Sequence, residues 1–213
     1  MNIPSDAEGG KRIGDGTVGL SLRRELTRKG LHLLSTAVPV SYAAGLTRSS
    51  VVWALVAALA IGAAVEIARV RNARARSVFD AGVGPLLREH EWHSLSGATW
   101  LIIALLVAAV CFPRDVAIAA MCAVSLGDAA AAIVGRTLAH ASAGQRKSLA
   151  GSVACFAASS VAARTIAGFA WREALIVGML ASLAERPRRP MDDNLRIALV
   201  VGCGILLWRM GFS

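Results

Sequence analysis

The charges of this chain are confined to short segments, and between them run stretches too long and too apolar for a soluble core. Residues 101–110 read Leu-Ile-Ile-Ala-Leu-Leu-Val-Ala-Ala-Val without one polar side chain. A helix needs about 20 mostly apolar residues to cross the hydrocarbon of a bilayer. Seven runs approach that length: about 31–46, which contains Pro39, then 50–68, 95–112, 115–134, 149–168, 171–185 and 195–211. The fourth is interrupted at Gly127-Asp128, a pair that predicts a local break in the helix or a close approach to a ligand. The fold class expected is therefore all-α: a polytopic transmembrane helical bundle of about seven spans. Composition agrees, with 17% charged residues where a soluble domain carries about 25%.

Lysine and arginine set the orientation, because they are retained on the cytoplasmic side of short loops. With the N-terminus cytoplasmic, 18 of the 23 basic residues fall in inside segments. The expected location is the cell (inner) membrane, with a multi-pass chain and an active site facing the cytoplasm. Residues 1–22, with Gly9, Gly10, Gly14, Gly16 and Gly19, read as a flexible polar tail, and 23–213 as one transmembrane domain. No cleavable signal peptide is visible at the N-terminus. The net charge of +9 lies in juxtamembrane clusters, which suits anionic headgroups rather than nucleic acid. Cys111, Cys122, Cys155 and Cys203 lie in or beside apolar runs without CxxC spacing, and read as small buried apolar residues.

Against that background Asp128 stands out, in Ser125-Leu126-Gly127-Asp128-Ala129-Ala130. A carboxylate at the centre of a span costs at least about 2.5–3.5 kcal/mol to insert, so it marks a functional position by default. Gly135-Arg136 follows two turns later on the same face. At the start of the fifth span, Arg146-Lys147-Ser148-Leu149-Ala150-Gly151 combines free helix N–H groups, a lysine and a capping hydroxyl, a combination suited to phosphate. It is not a Walker A loop, because the Gly-x-x-x-x-Gly-Lys frame is absent. Asp192-Asp193-Asn194 before the last span offers hard oxygen donors suited to Mg²⁺ and its phosphates, and is equally a helix cap. Arg186, Arg188 and Arg189 lie upstream, as steering charges or topology signals.

Weaker candidates are Glu66, which an i,i+3 pair with Arg69 would also explain, Glu185, and His32 in Arg28-Lys29-Gly30-Leu31-His32. The run Glu89-His90-Glu91-Trp92-His93 lacks the His-Glu-x-x-His order of zinc peptidases and reads as an interfacial helix. Stripes such as Ala129-Ala130-Ala131-Ala132 and Gly151-Ser152 predict close helix packing in lipid.

Taken in order, these segments resemble the CTP-dependent lipid kinases: dolichol kinase, phytol kinase and CTP-dependent diacylglycerol kinase. The matching pieces are Glu25-Leu26-x-Arg28-Lys29-x-x-His32, Ser96-Gly97-Ala98-Thr99-Trp100, Gly127-Asp128-x-x-Ala131-x-x-x-Gly135-Arg136, Lys147-Ser148-x-x-Gly151-Ser152, and Glu185 followed by Asp192-Asp193-Asn194. The resemblance implies transfer of the γ-phosphoryl of CTP to a lipid hydroxyl such as that of phytol, a polyprenol or dolichol, or diacylglycerol. It implies catalytic roles for Arg28, Lys29, Asp128 and Lys147. It also implies a nucleotide site at Gly127, Gly135, Arg136, Lys147, Ser148, Gly151 and Asn194, and Mg²⁺ held by Asp128, Asp192 and Asp193. Ala150 stands where many relatives carry Glu, and the short chain is most similar to the compact phytol kinase-like members. Two other readings fit parts of the pattern. A phosphatidate cytidylyltransferase-like enzyme would release pyrophosphate, and an ion- or proton-coupled transporter would use Asp128 at mid-depth.

Overall fold

The computed structural model describes residues 27–82, 95–138, 148–186 and 191–211. The expected tail 1–22, Lys147, and the 89–93 run lie outside them, as do Arg146, Arg188 and Arg189. All regular structure among the described residues is helical. Helix α1 (27–35) turns at Thr36 into α2 (Ala37–Ala43), with Pro39 buried near the start of the second piece. Then follow α3 (Arg48–Arg71), α4 (Ala73–Gly82), α5 (Gly97–Cys111), α6 (Arg114–Cys122), a π-helical turn (Ala123–Gly127), α7 (Asp128–Leu138), α8 (Leu149–Thr165), α9 (Trp171–Glu185) and α10 (Asp193–Gly211). The helices start where the sequence supplies caps. Thr47, Ser96 and Ser148 each accept a hydrogen bond from the backbone amide three residues on, which satisfies an otherwise orphaned donor.

The segments run alternately up and down, as contacts at their ends show. At what we call the distal end, Arg48 of α3 donates to the Val110 carbonyl of α5. Arg114 of α6 donates to the Tyr42 carbonyl of α2 at 2.6 Å. Arg209, near the end of α10, bonds Glu173 at 2.9 Å and Asp115 at 2.7 Å, tying together the starts of α9 and α6. At the opposite, proximal end, Glu66 of α3 accepts from the Ser96 amide that opens α5. There also Arg196 of α10 donates to the Ala184 carbonyl of α9 at 2.6 Å. The tight distal reversal between α8 and α9 uses Gly168 at φ 78°, a left-handed conformation open to glycine at little cost.

Among the described residues, three helices are long and apolar enough to cross a bilayer: Arg48–Arg71, the continuous Arg114–Leu138, and Asp193–Gly211. This is a helical membrane protein. The central helix is α6–α7. Of its most apolar 18-residue window, 78% is buried, against 11% in α3, so α3 leaves most of its apolar surface on the outside of the bundle.

The expected interruption at Gly127-Asp128 takes a different form. The helix does not break there. It widens through the π turn, where the Asp128 amide bonds back to the Ala123 carbonyl five residues earlier. One extra residue rotates everything that follows by about 100° relative to an unbroken α-helix.

Candidate functional site

The site forms where α1 meets the π turn. Asp128 is the 15th residue of the 25-residue helix Arg114–Leu138. At about 1.5 Å per residue it lies about 21 Å from the distal end and about 15 Å from the proximal end. Such a depth is too dry for an isolated carboxylate. Its compensation comes from Lys29, 99 residues away on α1, whose ammonium ion-pairs with Asp128 Oδ2. Both residues are buried, Lys29 to 4% exposure and Asp128 to 7%. His32, one turn beyond Lys29 and equally buried, places Nδ1 3.4 Å from the same carboxylate oxygen.

A second polar contact fastens the same two segments. Ser35 and Ser125 share a hydrogen bond of 2.7 Å between their hydroxyls, and Ser35 also bonds the His32 carbonyl at 2.6 Å. Neither serine was singled out from the sequence. The signal available was their spacing, since Ser125 precedes Asp128 by three residues and Ser35 follows His32 by three. Arg28 is partly buried beside Lys29 on α1.

The glycines of the motif lie at close helix crossings. A Cβ on Gly127 would fall 2.3 Å from Ser159 Oγ and 3.3 Å from Cys155 Sγ on α8. On Gly135 it would meet Ser148 Oγ at 2.9 Å, and on Gly151 the Ala131 carbonyl at 2.8 Å. Gly127, Ala131 and Gly135, one turn apart, let α7 and α8 pack almost backbone to backbone. Ser148 is engaged as the cap of α8, accepting from the Gly151 amide at 3.0 Å. Arg136 is exposed near the proximal end of α7.

Asp192, Asp193 and Asn194 open α10, also at the proximal end. Asp192 Oδ1 accepts from the Asn194 amide at 2.9 Å. Asp193 pairs with Arg196. Burial raises the Asp192 carboxyl above its ordinary value, the neighbouring Asp193 charge adds to that rise, and the Asn194 amide opposes it. Asn194 is buried, and its Oδ1 has no hydrogen-bond partner. Among the described residues no three of His, Cys, Asp and Glu stand close enough to hold one metal ion. Asp128, Asp192 and Asp193 therefore do not form a single ligand set here. Asp128 faces α1 from within a span, whereas the pair belongs to a helix start. Mg²⁺ is commonly held by one or two carboxylates with the rest of its shell from phosphates and water, which Asp192-Asp193 alone can supply.

Glu66 and Glu185 fall in different surroundings. Glu66 bonds Arg69 Nε at 2.6 Å and the Ser96 amide at 3.2 Å, so it closes the proximal end of α3 against α5. The i,i+3 pair expected from sequence is present, and Arg69 also lies over the Phe79 ring at 5.1 Å. Glu185 ends α9 and is buried.

Comparison with known proteins adds relatives to this geometry. The chain is 30% identical over 137 residues to CTP-dependent diacylglycerol kinase 1 of Saccharomyces cerevisiae, a match covering 63% of this chain and 47% of that protein. It is 34% identical over 88 residues to the protein of the same name from Eremothecium gossypii, covering 40% of this chain and 28% of the relative. It is 28% identical over 149 residues to the one from Schizosaccharomyces pombe, covering 61% and 68%. The match thus spans less than half the length of the first two relatives. No family model matches the chain, and no solved structure does.

Proposed function

We propose that this chain, which is similar to the CTP-dependent diacylglycerol kinases named above, transfers the γ-phosphoryl of CTP to the hydroxyl of a membrane lipid. Diacylglycerol is the first acceptor to test, since it is the one in the relatives' names. The observation that carries the reading is the buried Lys29–Asp128 pair with His32 beside it. An ion pair at that depth costs more than an apolar contact of the same volume. Its placement inside a span suits a reaction whose acceptor lies in the bilayer.

Phosphoryl transfer asks mainly for positioning and for compensation of phosphate charge. The acceptor oxygen forms the new bond to Pγ, the bridging oxygen departs on CDP, and the hydroxyl proton is released. In this assignment Asp128 orients the acceptor hydroxyl, and Lys29 with Arg28 neutralises phosphate charge. Lys147 and the amides at the start of α8, near Ser148 and Gly151, hold phosphate, with Gly127 and Gly135 keeping α7 close to α8. Asp192 and Asp193 hold Mg²⁺, which when bound supplies positive charge to the triphosphate, and Asn194 and Arg136 line the nucleotide side. His32 and Glu185 complete the polar set. We place the proximal end on the cytoplasmic side, with seven crossings of the cell membrane in all and residues 1–22 as a tail ahead of the kinase domain.

The test is purified protein with labelled CTP or ATP against diacylglycerol, phytol, farnesol and polyprenols. A phosphorylated lipid with stoichiometric CDP is the expected result. Pyrophosphate in place of CDP would mean a cytidylyltransferase. Flux of an ion across liposomes without nucleotide would mean a transporter. Replacing Lys147 by Ala should raise the KM for CTP, and an unchanged KM would remove that residue from the nucleotide site.

A further inference from the structure

Beside the ion pair, on the surface turned to lipid, α1, α7 and α8 enclose a groove of about 370 Å³. Its lining includes Leu33, Leu126, Ala130 and Ile133, and on α8 it runs from Ala158 to Ile166. Small side chains make it a recess. Ala130, Ala158 and Ala162 leave the space, and Leu33, Leu126, Ile133, Val161 and Ile166 wall it. The one hydroxyl among the described lining residues, on Thr165, is turned onto its own helix, donating to the Val161 carbonyl at 2.8 Å. The described residues of the lining therefore offer no polar partner to an occupant.

Its position gives the occupant a direction. Ala158 stands at the depth of Asp128, because Gly127 and Ser159 touch across the α7–α8 crossing. From there the lining climbs eight residues along α8, about 12 Å, away from the proximal end. Leu33 follows Lys29 by one turn on α1, while Leu126 and Ala130 flank Asp128 in sequence. The two helices that carry the ion pair are thus two of the three that wall the groove.

We propose that this groove holds one hydrocarbon chain of the acceptor lipid, with the hydroxyl end left at the depth of Asp128; the assignment rests on the lipid kinase reading above. A flat apolar surface would be wetted by bilayer lipids that exchange freely. A recess between three helices instead fixes one chain and so orders the reacting end, a gain in orientation of the kind that lowers barriers for two bound reactants.

The experiment is photolabelling of the whole protein in phosphatidylcholine vesicles, using diacylglycerol with a diazirine in one acyl chain. Label is expected on 158–166 and near Leu33, chased by unlabelled diacylglycerol but not by further phosphatidylcholine. Ala158→Phe, which fills the recess, should remove that label. It should also raise the KM for the lipid acceptor at least ~10-fold, as other changes of apolar pocket volume do, with the KM for CTP unchanged. Leu33→Ala, which widens the recess, reads the same site if Ala158→Phe fails to insert, and should retain the label. Label chased equally by phosphatidylcholine, or found evenly over α3 and α8, would overturn the proposal. A wild-type protein without kinase activity toward any acceptor would instead remove the functional reading, while the labelling pattern would still decide the groove.

Discussion

Lys29 and Asp128, 99 residues apart in the chain, form an ion pair buried within the helical bundle. Removing one partner of such a pair strands the other charge, at a cost of about 3–5 kcal/mol, whereas replacing both with apolar groups is often close to neutral. Lys29→Met and Asp128→Ala should each lower thermal stability, and the double variant should recover most of it. Phosphoryl transfer should be lost in all three. Recovery of activity along with stability in the double variant would reduce the pair to a structural role.

Asp192 lends itself to a pH experiment with a definite sign. Burial lifts its carboxyl above the ordinary 3.8, so the folded protein holds that proton more tightly than the unfolded chain. Its contribution to stability is then greatest below the ordinary value, and is lost as pH rises through the folded one. At neutral pH the charged Asp192 is a net cost. Asp192→Asn keeps an oxygen to accept from the Asn194 amide, so it should melt no lower than wild type at pH 7. The KM for Mg-CTP should nevertheless rise at least ~10-fold if the carboxylate holds the metal. A variant with unchanged kinetics would release Asp192 from that role.

Gly151 separates packing from nucleotide contact. Its added Cβ would lie 2.8 Å from the Ala131 carbonyl, a backbone atom that cannot swing aside. Gly151→Ala should therefore destabilise by about 1–3 kcal/mol, measured by thermal unfolding in detergent. Gly178→Ala, whose Cβ would meet the Phe156 carbonyl at 2.5 Å across α8 and α9, should behave alike. If Gly151→Ala keeps full stability while CTP binding weakens, the glycine serves the ligand and not the helix crossing.

Glu66 is expected to matter for stability more than for chemistry. Glu66→Ala would remove the carboxylate that bonds Arg69 Nε and the acceptor of the Ser96 amide. A loss of about 3 kcal/mol is expected, with kcat per folded molecule retained. A folded variant with collapsed kcat would return Glu66 to the active site.

The helices were legible because the cost of placing a residue in hydrocarbon is nearly local and adds along the chain. The run 171–185 predicted from sequence coincides with α9, and 195–211 falls within α10. Less legible was the form of the fourth run. Gly127-Asp128 reads as a break, but the close crossing with Ser159 keeps the helix whole and the π turn absorbs the extra residue. Ser148 and the Asp192-Asp193-Asn194 segment were visible both as caps and as ligand positions. The contacts within the fold are those of caps, and a phosphate or metal there would share or displace them.

From residue order alone came the apolar helices, the cost of Asp128 within one of them, and the kind of partner that cost demands. Which cation answers it was decided only in three dimensions. Hydrophobic insertion is summed residue by residue, but a carboxylate is stabilised by whatever stands within a few ångströms of it. The pairing with Lys29 and the nearness of His32 follow from how α1 lies against a helix rotated by one extra residue.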